Sequence, residues 1–242
     1  MSITSAYLTV GGIEVDVVYK EIKNLHIGVY PPWGRVRVAA PDRWGDDQVR
    51  LAVIGRLSWI KKQQDELRTA ERQTIREMVS GESHYVWGDR LRLTVIERPG
   101  PHRLTVDRGR LVLHVPDGAS AARRREVLDG WYRERLREAI PGVLAGWEAK
   151  VGVSVPGWSI RRMKTKWGSC NREMGHIRFN VELAKRHPES LEYIAVHEMT
   201  HLIERGHGER FTSLMDRTMP DWRARRDRLN QAPLSHERWV RA

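Results

Sequence analysis

The sequence predicts an α+β fold in which an antiparallel, β-rich N-terminal portion with helices precedes a small core of strands and helices. Alternating apolar residues run through two segments, 13–38 and 84–115. The apolar spacing changes to a helical period from residue 46 and again from residue 120. The motif "HEMTH", residues 197–201, lies in a third helical segment. We therefore expect a β-rich portion over 1–118, with a long helix near 46–78, and a second domain over 119–242.

The first strands are predicted from period-two alternation. The segment "GGIEVDVVYK" places Ile13, Val15 and Val17 on one face, and "NLHIGVY" does the same with its apolar residues. The turn "PPWG" then leads into "RVRVAAP". Together these segments predict an antiparallel meander.

After residue 84 the sequence again predicts strands, followed by a helix. "HYVWGDRLRLTVIE", "HRLTVD" and "RLVLHVP" alternate as paired strands do. A helical stretch follows from Ser120, in which Pro141 is expected to introduce a kink or begin a new helix. Strands are then expected in "VSVPGWSIRRMKTKWGSC" and "HIRFN", around a turn at 171–175. The sequence shows no internal repeat.

Composition limits the functional classes. The apolar content of 40% and charged content of 30% are typical of a globular protein. The N-terminal residues lack a signal-peptide pattern, and no apolar run is long enough to cross a membrane. A single cysteine, Cys170, excludes an intramolecular disulfide, so we expect a cytoplasmic protein without a membrane partner. The net charge of +11 permits proximity to nucleic acid, although the basic residues are scattered.

The segment "LEYIAVHEMTHLIERGHGERF" predicts a metal site. His187-Pro188 is a plausible helix start and Gly206 a plausible stop. His197 and His201, four residues apart, project only about 40° apart on a helix and can bind one Zn²⁺. Glu198 lies beside the first ligand and can accept a proton from a zinc-bound water.

The third ligand is the open question at this point. His207, six residues after His201 and beyond a glycine, is the preferred candidate. Glu204 competes, but on a continuous helix it would lie about 10 Å along the axis from His197. Glu209, Asp216 and Asp221 are weaker candidates. The alternative is that this motif arose by chance, yet burying two histidines and a glutamate without a partner would be costly.

A "KTKWGSC" strand, a turn and the approach to this helix contain further characteristic positions: Lys164, Thr165, Trp167, Gly168, Ser169, Cys170, Gly175, Ile177, Asn180, Pro188 and Tyr193. With these positions and the HExxH motif, the sequence resembles the YgjP-like metallopeptidase family, a group related to the SprT-like and Wss1-like proteases. The resemblance implies a small zincin-type core, with His197, His201 and His207 as zinc ligands and Glu198 as general base. Two positions depart from the family pattern: Gly206 stands where asparagine is usual, and Thr212 where tryptophan is usual.

The "TKWGSC" segment has two interpretations. Trp167, Gly168 and Ser169 could bind an extended peptide through a strand edge. Alternatively, Trp167 and Cys170 are core residues and Gly168 allows close packing. Asn180 could orient a ligand histidine or stabilise a turn.

The sequence therefore favours a zinc metallopeptidase that hydrolyses protein or peptide substrates. Two alternatives stay open. The same metal chemistry could cleave an anionic small molecule such as a nucleotide phosphoanhydride, with basic residues such as Arg161, Arg162, Lys164 and Lys166 near the cleft. The protein could also be a protease that acts on nucleic-acid-bound proteins, in which case binding would depend steeply on salt.

Overall fold

The structure is a computed structural model that describes residues 5–30, 34–69, 77–163 and 166–231. Strands and helices alternate along the chain, which confirms the predicted α+β class. The chain divides into two compact units: described residues up to 69 belong to the first, and those from 77 to 231 belong to the second.

The first unit contains a four-stranded sheet that is not a meander. Its strands are β1 (Ser5–Val10), β2 (Ile13–Lys20), β3 (His26–Tyr30) and β4 (Arg35–Pro41), in the order β1-β2-β4-β3. The two hairpins β1–β2 and β3–β4 are antiparallel, but β2 and β4 pair in parallel. The predicted antiparallel meander is therefore wrong. Parallel pairing aligns Val15 with Val36 and Val17 with Val38, and all four are buried in one apolar face.

Two helices follow this sheet where one long helix was expected. Helix α1 (Asp46–Ile54) ends at Gly55, and α2 (Leu57–Thr69) begins two residues later. Glycine lowers helix stability, which accounts for a break there. Val49, Val53 and Ile60 are fully buried in the core of this unit. Residues 70–76 lie outside the described residues, and Met78 has a positive φ of 62°, so the helix predicted to reach residue 78 does not include Met78.

The second unit begins with another four-stranded sheet. Its strands are β5 (Ser83–Val86), β6 (Asp89–Glu97), β7 (Arg103–Asp107) and β8 (Arg110–Val115), in the order β5-β6-β8-β7. This order repeats that of the first sheet, including the central parallel pair, although the sequence shows no repeat. Leu93, Leu111 and Leu113 share one core with the helix that follows. The second compact unit thus begins before residue 118, because this sheet shares its core with the residues that follow it.

Helix α3 (Ala121–Val151) runs for 31 residues along this core. Ser120 caps its start by accepting a hydrogen bond from the Arg123 amide, and Gly152 ends it with a left-handed φ of 80°. The helix continues through Pro141, so no new helix begins there. Its buried stripe has helical spacing and consists of Leu128, Tyr132, Leu136, Ile140 and Leu144.

The remaining elements surround a central helix. A three-stranded sheet has the order β10-β11-β9, made of β9 (Gly157–Arg161), β10 (Gly168–Asn171) and β11 (His176–Asn180). A 3-10 turn (Val181–Lys185) leads to α4 (Pro188–Ile203), and α5 (Glu209–Thr218) and α6 (Trp222–Gln231) follow. Helix α4 packs against α3, α5, α6 and the edge strand β10. None of the described helices is long and apolar enough to span a membrane.

Candidate metal centre

Helix α4 carries the motif "HEMTH", and its buried neighbours fix its orientation. Pro188 occupies its first turn, as the sequence predicts. Tyr193, Ile194 and Val196 are buried around it, so only one side can open to solvent. The helix ends at Ile203, three residues before the expected stop at Gly206. Glu204 is extended, with φ −125° and ψ 123°, and this change of direction lets the following loop turn back.

The loop after α4 brings three histidines together. The Nε2 atom of His207 lies 3.2 Å from Nε2 of His197 and 3.2 Å from Nε2 of His201. Among the described residues, these three form the group of potential metal-ligating side chains whose donor atoms lie within 4.8 Å of one another. His197 and His201 are partly buried, and His207 is exposed.

The arrangement fits a metal ion. Imidazole nitrogens about 2.0–2.1 Å from a tetrahedral ion are about 3.3 Å from each other, close to the separations found here. The Nδ1 atom of His201 lies 3.0 Å from the Glu204 carbonyl, so it can donate to that carbonyl and leave Nε2 free as a ligand. The Nδ1 atom of His197 is buried and has no such partner among the described residues.

The protein environment also favours the neutral, metal-binding form of the imidazoles. Burial, followed by the neighbouring charges of His201 and His207, lowers the pKa of His197 to about 3. Burial is likewise the main cause that lowers the pKa of His201. Both rings therefore carry a free lone pair at neutral pH, which a metal ion requires of its ligands.

Glu204, the competing third ligand, has another role. Its backbone carbonyl faces His201, and its Oε1 atom accepts a hydrogen bond of 3.3 Å from the Gly206 amide. Its carboxylate does not belong to the histidine group. Glu204 therefore shapes the loop that carries His207.

Glu198 lies on the same helix between the two histidines. Its side chain is buried, with 6% of its surface exposed. Burial raises the pKa of this carboxyl to about 7, against an opposing effect of the Lys166 ammonium. A carboxyl that titrates near neutral pH can both accept and return a proton.

The contact of a phenylalanine with all three histidines was not predicted from the sequence. Phe211 on α5 is buried, and its ring centroid lies 4.7–5.0 Å from those of His197, His201 and His207. It is the first apolar residue of α5, and this position could have indicated a role in packing. Phe211 therefore packs against all three imidazole rings.

A comparison with known protein families identifies the family of this chain. A family model described as the YgjP-like metallopeptidase domain matches residues 23–232. The chain belongs to the YgjP-like metallopeptidase family. A search of curated proteins finds no match. A search of solved structures matches the crystal structure of the metallopeptidase zymogen of Pyrococcus abyssi abylysin, with 21% sequence identity and a TM-score of 0.35. The alignment covers 37% of this chain and 90% of the abylysin chain.

Family membership makes the protein a peptidase that depends on a metal ion and acts on proteins or peptides. The histidine group on α4 and its following loop could hold that ion. It opens into a cleft of about 1220 Å³ that is also lined by Glu198, Tyr193 and the edge strand β10.

In this YgjP-like chain, Gly168 of β10 lies directly against the carboxyl of Glu198. A Cβ atom added at Gly168 would be 2.7 Å from Oε1 of Glu198 and 2.8 Å from Cγ2 of Ile194. Both distances are too short for real contacts, so Gly168 is required for the close approach of strand and helix. This supports the close-packing interpretation of the "TKWGSC" segment.

We expect Gly168→Ala to displace Glu198, reducing kcat at least about 10-fold and destabilising the fold by about 1–3 kcal/mol. Peptidase kinetics and thermal unfolding measure the two effects. Gly146→Ala is the matched control, because a Cβ there meets nothing within 4 Å on helix α3. If Gly168→Ala matched this control in kcat, close packing against Glu198 would be unimportant.

Asn180 stabilises a turn, and its hydrogen bonds with described residues do not include one to His197, His201 or His207. Its side-chain amide donates hydrogen bonds of 2.8 Å to the carbonyls of Met163 and Lys166, and its backbone amide donates one of 2.9 Å to the Trp167 carbonyl. Asn180 therefore fixes both ends of the loop that leads into β10. Lys164 and Thr165 within that loop lie outside the described residues.

The other residues of this segment line the cleft. Trp167 is partly buried, and the Arg186 guanidinium lies 5.1 Å from its ring centroid. Ser169 and Cys170 follow along β10. Burial, and then the charge of Glu198, raises the pKa of the Cys170 thiol to about 11, which keeps it protonated at neutral pH. Cys170 also lies outside the histidine group, so the structure supports no role for it as a metal ligand.

Proposed function

We propose that this chain is a zinc-dependent metallopeptidase in which His197, His201 and His207 hold the ion and Glu198 is the general base. The observation that carries the proposal is the convergence of three imidazole Nε2 atoms beside a buried carboxyl in one cleft. Three histidines are a donor set typical of catalytic zinc, which keeps a fourth position open.

When bound, zinc supplies Lewis acidity, which polarises the peptide carbonyl and makes water more acidic. The residues of the chain supply proton transfer and positioning. Glu198 accepts a proton from the attacking water and returns it to the amine that leaves. Gly168 allows the carboxyl to lie against β10, and Phe211 holds the histidine rings in place.

We also propose that β10 binds the substrate backbone. It is an edge strand of its sheet, and Trp167, Gly168 and Ser169 line the cleft beside Glu198. The free edge of a strand can pair with an extended peptide through main-chain hydrogen bonds. Pairing at this edge would hold a peptide bond near the histidines.

Removal and return of the metal test the proposed function. Dialysis against a chelator is expected to abolish cleavage of an unfolded protein substrate, and one equivalent of Zn²⁺ should restore it. Peptide-bond cleavage is measured by mass spectrometry, with nucleoside triphosphates as a parallel substrate. Cleavage that survives complete metal removal, or zinc-dependent hydrolysis of the triphosphates alone, would refute the proposal.

A further inference from the structure

The cleft around the histidines carries an excess of positive charge. Of the described residues that line it, five are cationic: Lys166, Arg172, Arg178, Arg205 and Arg226. Two of the described lining residues are acidic, and one of these is the buried Glu198. The other, Glu173, is exposed.

Four of these five cations form no ion pair with a residue that the structure describes. Arg226 forms an ion pair of 3.0 Å with Asp227. Arg172 donates to the carbonyls of Leu202 and Ile203 and forms no ion pair within the described part of the chain. Lys166, Arg178 and Arg205 likewise have no ion pair with a described residue, and all three are exposed.

The basic residues that the sequence placed near the cleft do not all line it. Arg162 is bound to Asp129 and Glu182, at 2.7 and 2.8 Å, and does not line the cleft. Arg161 also lies outside the cleft lining, whereas Lys166 belongs to it. The excess charge therefore comes mainly from residues that the sequence did not indicate.

Cations of this cleft lie at both ends of the edge strand β10. Lys166 precedes β10 by two residues and lines the cleft together with Gly168 and Glu198. Arg172 directly follows β10 and donates to the carbonyls of Leu202 and Ile203 at the end of α4. Arg205 lies two residues after Ile203 and lines the same cleft. A peptide lying along β10 would therefore meet positive charge on both sides of Glu198.

We propose that this cleft selects peptide segments with acidic side chains on both sides of the cleaved bond. This inference rests on the proposed function and names its substrate class. An acidic peptide is favoured over nucleic acid, because base stacking needs accessible aromatic faces. Tyr193 is buried and stacked on Trp222, and Arg186 lies over the ring of Trp167.

Matched peptides test this selectivity. Substrates with Asp and Glu flanking the cleaved bond are compared with the same peptides carrying Asn and Gln. We expect kcat/KM to be about 10-fold higher for the acidic peptides at low salt, falling towards 2-fold at about 0.5 M NaCl as the charges are screened. Equal cleavage of both peptides would overturn the selectivity and leave the peptidase function standing.

Charge-reversing substitutions at the two ends of β10 test which residues cause the preference for acidic peptides. Lys166→Glu and Arg205→Glu should each remove the acidic preference on one side of the cleaved bond. Arg90→Glu, on the exposed surface of β6 and outside the cleft lining, is the control for net charge and should retain both preferences. If neither cleft variant altered the preference, the proposal would be wrong.

Binding to the Glu198→Gln protein tests the inference independently of turnover. Fluorescence anisotropy with labelled acidic and neutral peptides should show tighter binding of the acidic one, even if no cleavage is found in the native protein. An unlabelled single-stranded oligonucleotide is the competitor. Stronger binding of the oligonucleotide than of the acidic peptide at 0.15 M salt would overturn the proposal in favour of a nucleic-acid ligand.

Discussion

Replacing Glu198 with Gln is expected to reduce kcat about 10²–10⁴-fold while the protein keeps its metal. The amide has nearly the same shape as the buried carboxyl, so packing against Gly168 is preserved. It cannot accept the proton of the attacking water. Single-turnover cleavage measures the loss, and elemental analysis measures the bound metal.

The control for this variant is Glu209→Gln. Glu209 is an exposed acid on the first turn of α5, close in sequence to His207, and it does not line the cleft. Its substitution makes the same change from carboxyl to amide and should leave kcat within about 2-fold. If Glu198→Gln retained full activity, the assignment of the general base would be wrong.

Replacing His207 with Ala should cost the protein its metal and its activity together. Loss of a direct ligand is expected to weaken metal binding more than about 100-fold. This effect is larger than that of replacing a residue that only orients a ligand, which weakens binding about 10- to 100-fold. The fold should survive, because His207 is exposed on the loop between α4 and α5. Isothermal titration with Zn²⁺ and circular dichroism measure the two properties.

His187→Ala provides the matched control at the opposite end of α4. His187 precedes Pro188, is exposed, and does not belong to the histidine group. This variant should bind one metal ion as the native protein does. A His207→Ala protein with native zinc affinity would show that the third ligand is a different group.

The local part of the site could be predicted from the sequence. His197 and His201 are four residues apart, and helical periodicity alone places them on one face of α4. His207 was favoured because a glycine allows the chain to turn back. The structure brings the three imidazoles together, although the turn begins at Glu204, before that glycine.

Contacts between distant segments could not be predicted in this way. The parallel pairing of β2 and β4 arises because β4, and not β3, lies beside β2, and the alternation of apolar residues is the same in either case. The approach of Gly168 to Glu198 and the position of Phe211 depend on how β10 and α5 pack against α4. The sharing of one core by β6, β8 and α3 likewise appears only in the folded chain.

Anomalous diffraction at the zinc absorption edge, from crystals of the protein as purified, tests the metal centre most directly. We expect one strong peak per chain, about 2.0–2.1 Å from the Nε2 atoms of His197, His201 and His207. A peak bound to other side chains, or a His207 ring turned away from an ion held by the other two, would contradict the proposed centre.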